Sequence, residues 1–229
     1  MQDRSTQPTD YFSLGHPLRG LASKFSHSAR RKMYKKFWEL IDPDETTRIV
    51  DVGVTPDRSL AESNFFEELY PHKHNITATS VEEASFLETR YQGLKFVQTS
   101  ADELPFSDNS FDVAVSFAVL EHVGSRAQQK QFVCELVRVA KRVFLTTPDR
   151  SFPIEVHTFL PLLHWLPQPL HQSALRSLGL EFWAKTENLN LLDRKDLLSM
   201  FPRETEVRTC SHRILGISSN LIAVATKLS

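Results

Sequence analysis

Short apolar runs that suit strands alternate with segments of helical spacing between residues 48 and 147, and this alternation constrains the fold more than any other feature of the chain. The predicted strands cover residues 48–53, 75–80, 94–99, 111–117 and 142–147, and the fourth of them is a nearly continuous apolar run. The predicted helices cover residues 59–70, 81–91 and 126–140. Such alternation is typical of a parallel sheet covered by helices. We therefore predict a doubly wound α/β fold.

The C-terminal residues follow a different pattern. Residues 206–214 and 220–228 are two strand-like runs joined by a short turn that contains Gly216. Because two strands joined by so short a turn run in opposite directions, we expect a hairpin there. The final strand of the sheet is then antiparallel.

The N-terminal part divides into an arm and a helix. A length of 229 residues fits one domain. We predict a flexible, polar arm over residues 1–22 and a single domain over residues 23–229, with a helix that Ser28 caps. Six basic residues and no acidic one lie between Lys24 and Lys36. This charge suits a solvated helix face, or contact with an anionic substrate or membrane surface.

Residues 148–190 form an insertion after the fifth predicted strand. Four prolines between residues 153 and 169 interrupt any long helix, and the segment is rich in Phe, Leu and Trp. Open α/β sheets bind ligands at the carboxyl ends of their strands. We therefore predict that this insertion is a lid or a substrate wall.

Composition excludes several functions. A net charge of −1 gives no argument for nucleic acid, and two cysteines far apart in sequence cannot form a zinc cluster. We expect no metal site and no nucleic-acid partner. No apolar run approaches the ~20 residues that span a bilayer, and the polar first ten residues do not resemble a signal peptide. We expect a cytoplasmic protein, and the oligomeric state stays open.

Three phrases resemble class I S-adenosylmethionine-dependent methyltransferases, nearest the branch of ubiquinone and menaquinone biosynthesis and related small-molecule enzymes. They are "VDVG" (50–53), "DELPFSDNSFDVAVSFAVLEHV" (102–123) and "VFLTTP" (143–148). The resemblance covers roughly residues 48–228. It implies a Rossmann-like, doubly wound seven-stranded sheet with helices on both faces and the last strand antiparallel, in agreement with the pattern above. It also implies S-adenosylmethionine as the cofactor.

The loop after the first strand departs from the family pattern. Gly53 matches the family's first loop glycine, where the backbone approaches the cofactor, and Asp51 matches the acidic residue that helps to hold the methionine ammonium group. Thr55 and Asp57 stand where the family repeats glycine, and Pro56 removes one N–H donor. We expect Thr55 to supply a side-chain hydrogen bond instead.

Two further cofactor positions are altered. Ser80 stands where the family has a ribose-binding acid, with Glu82 nearby. Ser100 replaces the adenine-facing aspartate, and we expect Asp102 and the Ala101 backbone to take over its contacts. Two further predicted positions, Ser116 and Phe117, end the fourth strand. The full set of predicted cofactor-binding residues is Asp51, Gly53, Val54, Thr55, Ser80, Glu82, Ser100, Ala101, Asp102, Ser116 and Phe117.

These departures leave two classes of function open. Each lost charge-assisted hydrogen bond costs about 1.5–3 kcal/mol of binding, which favours a non-catalytic scaffold. Hydroxyls at the altered positions and carboxylates beside them favour an active methyltransferase with a changed set of cofactor contacts, which we predict. A nicotinamide site is disfavoured, because its fingerprint needs three glycines and an acidic ribose ligand.

The candidate catalytic residues are Glu121 and His122, just after the fourth strand, and His157 in the insertion, with Glu155 nearby. Histidine suits a general base for an oxygen or nitrogen acceptor. Purely structural roles for all three side chains are the alternative. The apolar residues of segment 152–170 favour a small, apolar or sugar- or lipid-linked acceptor and a peripheral contact with a membrane. Whether oxygen, nitrogen or carbon is methylated stays open.

Overall fold

The computed structural model describes residues 19–58 and 63–228, and for residues 19–27 it describes the helical backbone alone. Most of the predicted arm (1–22) and the first residues of the helix predicted at 59–70 therefore lie outside the described residues. Within the described part of the chain, no helix is both long enough and apolar enough to cross a membrane.

Seven strands of the described residues form one sheet, close to the predicted positions. Their bounds are β1 Ile49–Val52, β2 Ile76–Ser80, β3 Lys95–Gln98, β4 Phe111–Phe117, β5 Ala140–Pro148, β6 Thr205–Ile214 and β7 Ile217–Lys227. The order across the sheet is β3-β2-β1-β4-β5-β7-β6. β1 to β5 pair in parallel, and β7 pairs antiparallel with β5 and β6. The predicted Rossmann-like sheet with its antiparallel last strand is confirmed.

The helices agree with the prediction in position more than in length. Their bounds are α1 Arg19–Ile41, α2 Phe65–Leu69, α3 Phe86–Arg90, α4 Arg126–Val139, α5 Gln168–Ser177 and α6 Arg194–Met200. The predicted N-cap at Ser28 is wrong, because α1 begins at Arg19 and Ser28 lies inside it. No proline interrupts residues 19–41, so the helix continues towards the N-terminus past a serine that could have capped it.

The start of α3 is also later than the predicted residue 81. The amide of Glu82 donates to Ser80 Oγ at 3.2 Å, and the amide of Ser85 donates to Glu83 Oε1 at 2.7 Å. Such side-chain acceptors offer the backbone an alternative to helical hydrogen bonds. Residues 81–85 therefore form a turn at the carboxyl end of β2.

Helices cover both faces of the sheet, as predicted. Phe132 and Leu136 of α4 and Leu197 of α6 pack with Val50 in one core. The second core, on the opposite face, contains Phe37 of α1, Phe66 of α2 and Leu87 of α3, packed with Ile49 and Val113 among others. Because alternate residues of β1 point to opposite faces, Ile49 and Val50 enter different cores.

An aromatic cluster holds α1 on the sheet. The ring of Phe37 is completely buried, and its centroid lies 5.1 Å from that of Phe66 and 5.5 Å from that of Phe144, both edge to face. Aromatic pairs in this arrangement add about 0.5–1.5 kcal/mol to the effect of burial. The docking of α1 therefore depends on Phe37.

The insertion between β5 and α6, which we call the lid after the role predicted for it, has a small core of its own. Leu175 of α5 and Trp183 are buried in this core. Its return segment is tied to the turn after β4, where the amide of Asn190 donates to Glu121 O at 2.8 Å and Asn190 Nδ2 donates to Gly124 O at 2.7 Å. The lid is thereby placed above β4.

We expect Phe37→Ala to lower the free energy of unfolding by about 3–5 kcal/mol, since it removes a fully buried ring and leaves a cavity. Urea denaturation measures this change. Leu40→Ala on the same helix is the matched control, because Leu40 is 43% exposed and surface substitutions stay within about 0.5 kcal/mol. Equal losses in both variants would contradict the assignment of α1 as part of the core.

Candidate active site at the carboxyl ends of the strands

The order of the strands places the candidate site between β1 and β4. β2 and β3 lie on one side of β1, and β5 lies beyond β4. Open α/β sheets bind ligands where the strand order reverses in this way, outside the carboxyl ends of the strands. Predicted cofactor residues follow β1, β2 and β3 and end β4, so all of them lie along this edge.

The loop after β1 starts at Gly53, whose φ of +105° disfavours any side chain. A Cβ atom built there would lie 2.4 Å from Val119 Cγ2, so the close approach of Val119 excludes larger residues. The amides of Gly53 and Val54 both donate to Thr79 O, at 2.9 and 3.1 Å. Backbone contacts with β2 therefore use both of these donors.

Asn64 closes the same loop, and sequence reasoning missed it. The amide of Thr55 donates to Asn64 Oδ1 at 2.9 Å, and Asn64 Nδ2 donates to Thr55 O at 2.8 Å. The Thr55 hydroxyl, expected to serve the cofactor, accepts from the Asp57 amide at 3.2 Å. Asn64 has φ 55°, and asparagine tolerates this conformation better than most residues do. That preference was the one signal that could have identified it.

Asp51 lies beneath the loop, and its side chain forms a buried pair with Glu67 of α2. The two residues are 5% and 1% exposed, and their carboxyl groups interact with each other. Burial first, and then the Glu67 charge, raise the pKa of Asp51 well above its usual 3.8. Burial also raises the pKa of Glu67. Since two adjacent carboxylates repel each other, the pair favours retention of a proton.

At the ends of β2 and β3, the two altered positions Ser80 and Ser100 each form a hydrogen bond with a neighbouring acidic residue. Ser80 Oγ accepts from the amide of Glu82 at 3.2 Å, and burial raises the pKa of the Glu82 carboxyl. Ser100 Oγ donates to Asp102 Oδ1. Ala101, between these two residues, packs against the core that contains α4. The side chains that we expected to replace the family's acidic residues therefore lie at the carboxyl edge of the sheet.

Two residues at the end of β4 face the β1 side of the site. Ser116 Oγ is fully buried and donates to Val52 O at 2.9 Å, which joins β4 to β1 at the point where the strand order reverses. The ring of Phe117 lies 4.9 Å from that of Phe65 and 5.4 Å from that of Phe66. The Phe117 side chain therefore forms part of the wall behind the β1 loop.

The three predicted catalytic residues converge although 35 residues separate two of them in the chain. Glu121 and His122 lie on a single 3₁₀ turn after β4, and His157 comes from the lid. One ligating atom from each lies within 4.8 Å of the others, and His122 Nε2 is 3.9 Å from Glu121 Oε1. We call Glu121, His122 and His157 the Glu-His-His cluster.

Outer contacts hold each side chain of the cluster in place. Glu121 Oε2 accepts from Thr147 Oγ1 at 2.9 Å, and His122 Nδ1 lies 2.7 Å from Asn188 O. His157 Nδ1 lies 2.6 Å from Glu155 Oε1. The inner atoms of the three side chains are thereby directed towards one another.

Glu155 reaches His157 through a turn. The carboxylate of Glu155 accepts from the amides of His157 and Thr158, at 2.9 and 2.7 Å. Burial alone would raise the pKa of Glu155, but the charge and hydrogen bonds of His157, with those of Thr158, outweigh it and lower the pKa to about 2. Glu155 is therefore a buried carboxylate that orients His157.

Burial gives the members of the cluster unusual proton affinities. It raises the pKa of Glu121 to about 7, and together with the charge of His157 it lowers the pKa of His122 to about 3. Burial also opposes the charged form of His157, but Glu155 outweighs this effect and raises the pKa of His157. The cluster therefore combines a neutral imidazole with a carboxyl group that exchanges its proton near neutral pH.

Aromatic and apolar side chains of the lid enclose the cluster. The Trp183 ring lies 4.9 Å from the ring of His157 and 6.2 Å from that of His122. His164, another histidine of the lid, is directed elsewhere, with its Nε2 2.8 Å from Phe152 O. His171 on α5 is half-buried and lies outside the cluster.

A shallow depression of about 790 Å³ lies at the opposite edge of the sheet, lined by residues at the amino ends of β4 and β5. Two of its charged side chains pair with each other, Lys141 Nζ with Asp112 Oδ1 at 2.8 Å. Because parallel α/β sheets bind ligands at the other edge, we place the candidate site at the carboxyl ends.

One family model matches part of the chain. Residues 58–143, a little over a third of the chain, match the family model described as a methyltransferase domain. The matched segment begins in the β1 loop and ends in β5, and it includes Glu121 and His122 of the cluster. No curated protein sequence matches the chain.

Solved structures of methyltransferases share the fold. An S-adenosylmethionine-dependent methyltransferase from Methanosarcina mazei is 20% identical, with a TM-score of 0.53, over 81% of this chain and 94% of that chain. The N-methyltransferase NodS from Bradyrhizobium japonicum, in complex with S-adenosyl-L-homocysteine, is 12% identical, with a TM-score of 0.54, over 87% of each chain. Magnesium protoporphyrin IX methyltransferase from Synechocystis PCC 6803, with bound SAH, is 12% identical, with a TM-score of 0.57, over 95% and 90%.

The family match on this fold supports the predicted class of enzyme, a methyltransferase. At such identities the solved structures themselves show the fold alone.

The buried pair of Asp51 and Glu67 predicts an unusual dependence of stability on pH. Carboxyls with raised pKa values stabilise the folded state while they are protonated, and this stabilisation is lost as the pH rises through the raised values. The free energy of unfolding then falls by at most about 1.4 kcal/mol per pH unit for each proton. Glu67→Gln removes one of the two acids, so the variant gains stability relative to the wild type as the pH increases.

Urea denaturation between about pH 5 and 8 measures this difference. Glu68→Gln, on the exposed face of the same helix, is the matched control with the same change in charge and should follow the wild-type profile. Parallel profiles for the wild type and Glu67→Gln would show that the pair does not share a proton.

Proposed function

We propose that this chain transfers the methyl group of S-adenosylmethionine to an oxygen or nitrogen atom of a small, apolar acceptor. The observation that carries the proposal is the Glu-His-His cluster, which lies after β4 beside the edge where the strand order reverses. A heteroatom acceptor needs groups that orient it and accept its proton.

S-adenosylmethionine supplies an already activated methyl group, so the chain itself has to bind, orient and exclude water. We propose that Ser80 with Glu82 contacts the ribose and that Ser100 with Asp102 contacts the adenine. Hydroxyl and carboxylate groups at these two strand ends suit the hydroxyls and the amine of that nucleoside. Asp51, Gly53 and the loop after them would hold the amino-acid part.

The cofactor carboxylate needs a partner other than the first loop amides, because those of Gly53, Val54 and Thr55 already donate within the protein. Arg30 of α1 brings a positive charge to this end of the sheet. Its guanidinium carbon lies 5.6 Å from the Phe65 ring, which contacts Phe117 at the end of β4. We therefore propose Arg30 as the carboxylate partner, which gives one of the basic residues of α1 a function.

At the acceptor end, the cluster would bind the heteroatom and take up its proton. The bond between sulfur and methyl breaks as the bond between methyl and heteroatom forms, and the proton leaves the acceptor for a side chain of the cluster. Side chains held by Thr147, Asn188 and Glu155 need little reorganisation during this step.

The lid supports an apolar acceptor. Trp183 lies beside the cluster, and the surface of the lid exposes Leu162, Trp165 and Leu170 to 49%, 51% and 57%. These apolar groups suit a lipophilic molecule and a peripheral contact with the membrane that holds it. They also favour an enzyme of the ubiquinone and menaquinone type.

We further propose that residues 23–229 act as one domain in the cytoplasm, on small molecules and not on nucleic acids. The single sheet and the net charge of −1 support this proposal. The lid, at about residues 148–190, belongs to the same domain, since its return segment pairs with the turn after β4.

Arg30→Met tests the cofactor site without disturbing the core, unlike a substitution at Gly53. By isothermal titration the variant should bind S-adenosylhomocysteine about tenfold or more weakly than the wild type, because one charge-assisted contact is lost. Its affinity for methylthioadenosine, which lacks the amino-acid part, should not change. Lys35→Met, at a residue whose side chain is 80% exposed, is the matched control.

Equal losses for both ligands would contradict the role given to Arg30. The absence of binding by the wild-type chain up to millimolar S-adenosylmethionine and S-adenosylhomocysteine would contradict the cofactor site itself, and the non-catalytic scaffold would then replace the enzyme.

The acceptor site predicts a second set of effects. With labelled S-adenosylmethionine and a panel of lipophilic phenols, alcohols and amines, the wild type should transfer label to a heteroatom. Glu121→Gln and His157→Asn should each lower kcat by at least about 100-fold and leave the affinity for S-adenosylhomocysteine unchanged. His171→Asn, in the lid but outside the cluster, is the control and should keep full activity. An unchanged kcat in both cluster variants would contradict the placement of the acceptor at the Glu-His-His cluster.

A further inference from the structure

We propose that the Glu-His-His cluster is a binding site for a divalent transition metal ion, with zinc(II) as the ion that its donors fit best. Two imidazoles and one carboxylate form the donor set of one class of zinc site that keeps a position open for a further ligand. Magnesium and calcium prefer oxygen donors alone. The proposal goes beyond the proposed function and departs from our expectation of no metal site.

The distances between the donor atoms are close to those that a metal requires. One atom from each residue lies within 4.8 Å of the others, and Glu121 Oε1 and His122 Nε2 are 3.9 Å apart. Donors bound tetrahedrally at 2.0–2.1 Å lie about 3.4 Å from one another. Small rotations of the side chains would therefore bring all three donors to one ion.

The outer contacts are those of metal ligands. Histidine ligands usually give their second ring nitrogen to a carboxylate or a backbone carbonyl, which fixes the tautomer and aims the first nitrogen at the metal. His157 Nδ1 has such a carboxylate in Glu155, and His122 Nδ1 has such a carbonyl in Asn188. In both residues Nε2 is then the atom that carries the lone pair towards the cluster.

Glu121 contributes an independent indication of a ligand. The residue is completely buried, Oε2 accepts from Thr147, and the buried Oε1 has no hydrogen-bond partner in the described part of the chain. At 3.9 Å, His122 Nε2 is too far away to satisfy this oxygen by a hydrogen bond. Native proteins rarely leave a buried carboxylate oxygen unsatisfied, and a bound cation satisfies such an oxygen as well as a hydrogen-bond donor does.

A metal here would join two parts of the molecule. Glu121 and His122 belong to the turn after β4, whereas His157 belongs to the lid. Binding of the ion would hold the lid against the sheet and so stabilise the folded state. The open position of the ion would face the acceptor, polarise its hydroxyl or amine and assist loss of the proton.

The test is a zinc titration of the chelator-treated, full-length protein in competition with a chromophoric chelator. We expect one ion per chain, a rise in Tm on binding, and the strong visible absorption of a tetrahedral site when cobalt(II) replaces zinc. His157→Asn and Glu121→Gln should weaken zinc binding at least 100-fold and abolish the cobalt spectrum. His171→Asn, which keeps the cluster, should behave as the wild type.

Glu155→Gln tests the positioning role of the outer carboxylate, and zinc affinity should fall by about 10–100-fold. The metal-free Tm of every variant shows whether it folds. Wild-type binding no tighter than that of His157→Asn would overturn the metal site. Titration of the same samples with S-adenosylhomocysteine reports separately on the proposed function, so that one proposal can fail while the other stands.

Discussion

The parallel pairing of β1 with β4 is the contact on which the rest of this molecule depends. Ile49 pairs with Val113 and Asp51 with Val115, and the buried hydroxyl of Ser116 donates to Val52 O where both strands end. Strand order reverses here, so the connections that leave β1 and β4 diverge and a crevice opens between them. The Gly53 loop and the turn that carries Glu121 and His122 both start from this edge.

The lid supplies the part of the candidate site that the sheet and its loops do not contain. Without it, the turn after β4 would present Glu121 and His122 to water, where a carboxylate and an imidazole have ordinary proton affinities. The lid brings His157, its partner Glu155 and the ring of Trp183 over that turn. Burial then raises the pKa of Glu121 and lowers that of His122. An enclosed set of convergent donors can bind a metal or an acceptor far better than the same residues in water.

Local patterns predicted the fold well because its main determinants are local. A parallel strand buried on both faces needs a nearly continuous apolar run, and the runs in the sequence identified every strand. Helix ends were predicted less well. Ser28 could have capped a helix, yet the helix runs through it, because capping is a weak effect wherever the preceding residues also suit a helix. The turn at 81–85 depends on side-chain hydrogen bonds that periodicity does not report.

The sequence by itself determined the sheet, its carboxyl edge and the residue types present there, because strand periodicity acts through neighbouring residues. Only the tertiary structure decided which groups meet. Asn64 clamps the β1 loop, Glu67 pairs with Asp51, and Asn188 orients His122. Each contact joins segments that only folding brings together. Burial shifts the pKa values of the buried side chains at the site, and burial is a property of the packed molecule that no local stretch of sequence carries.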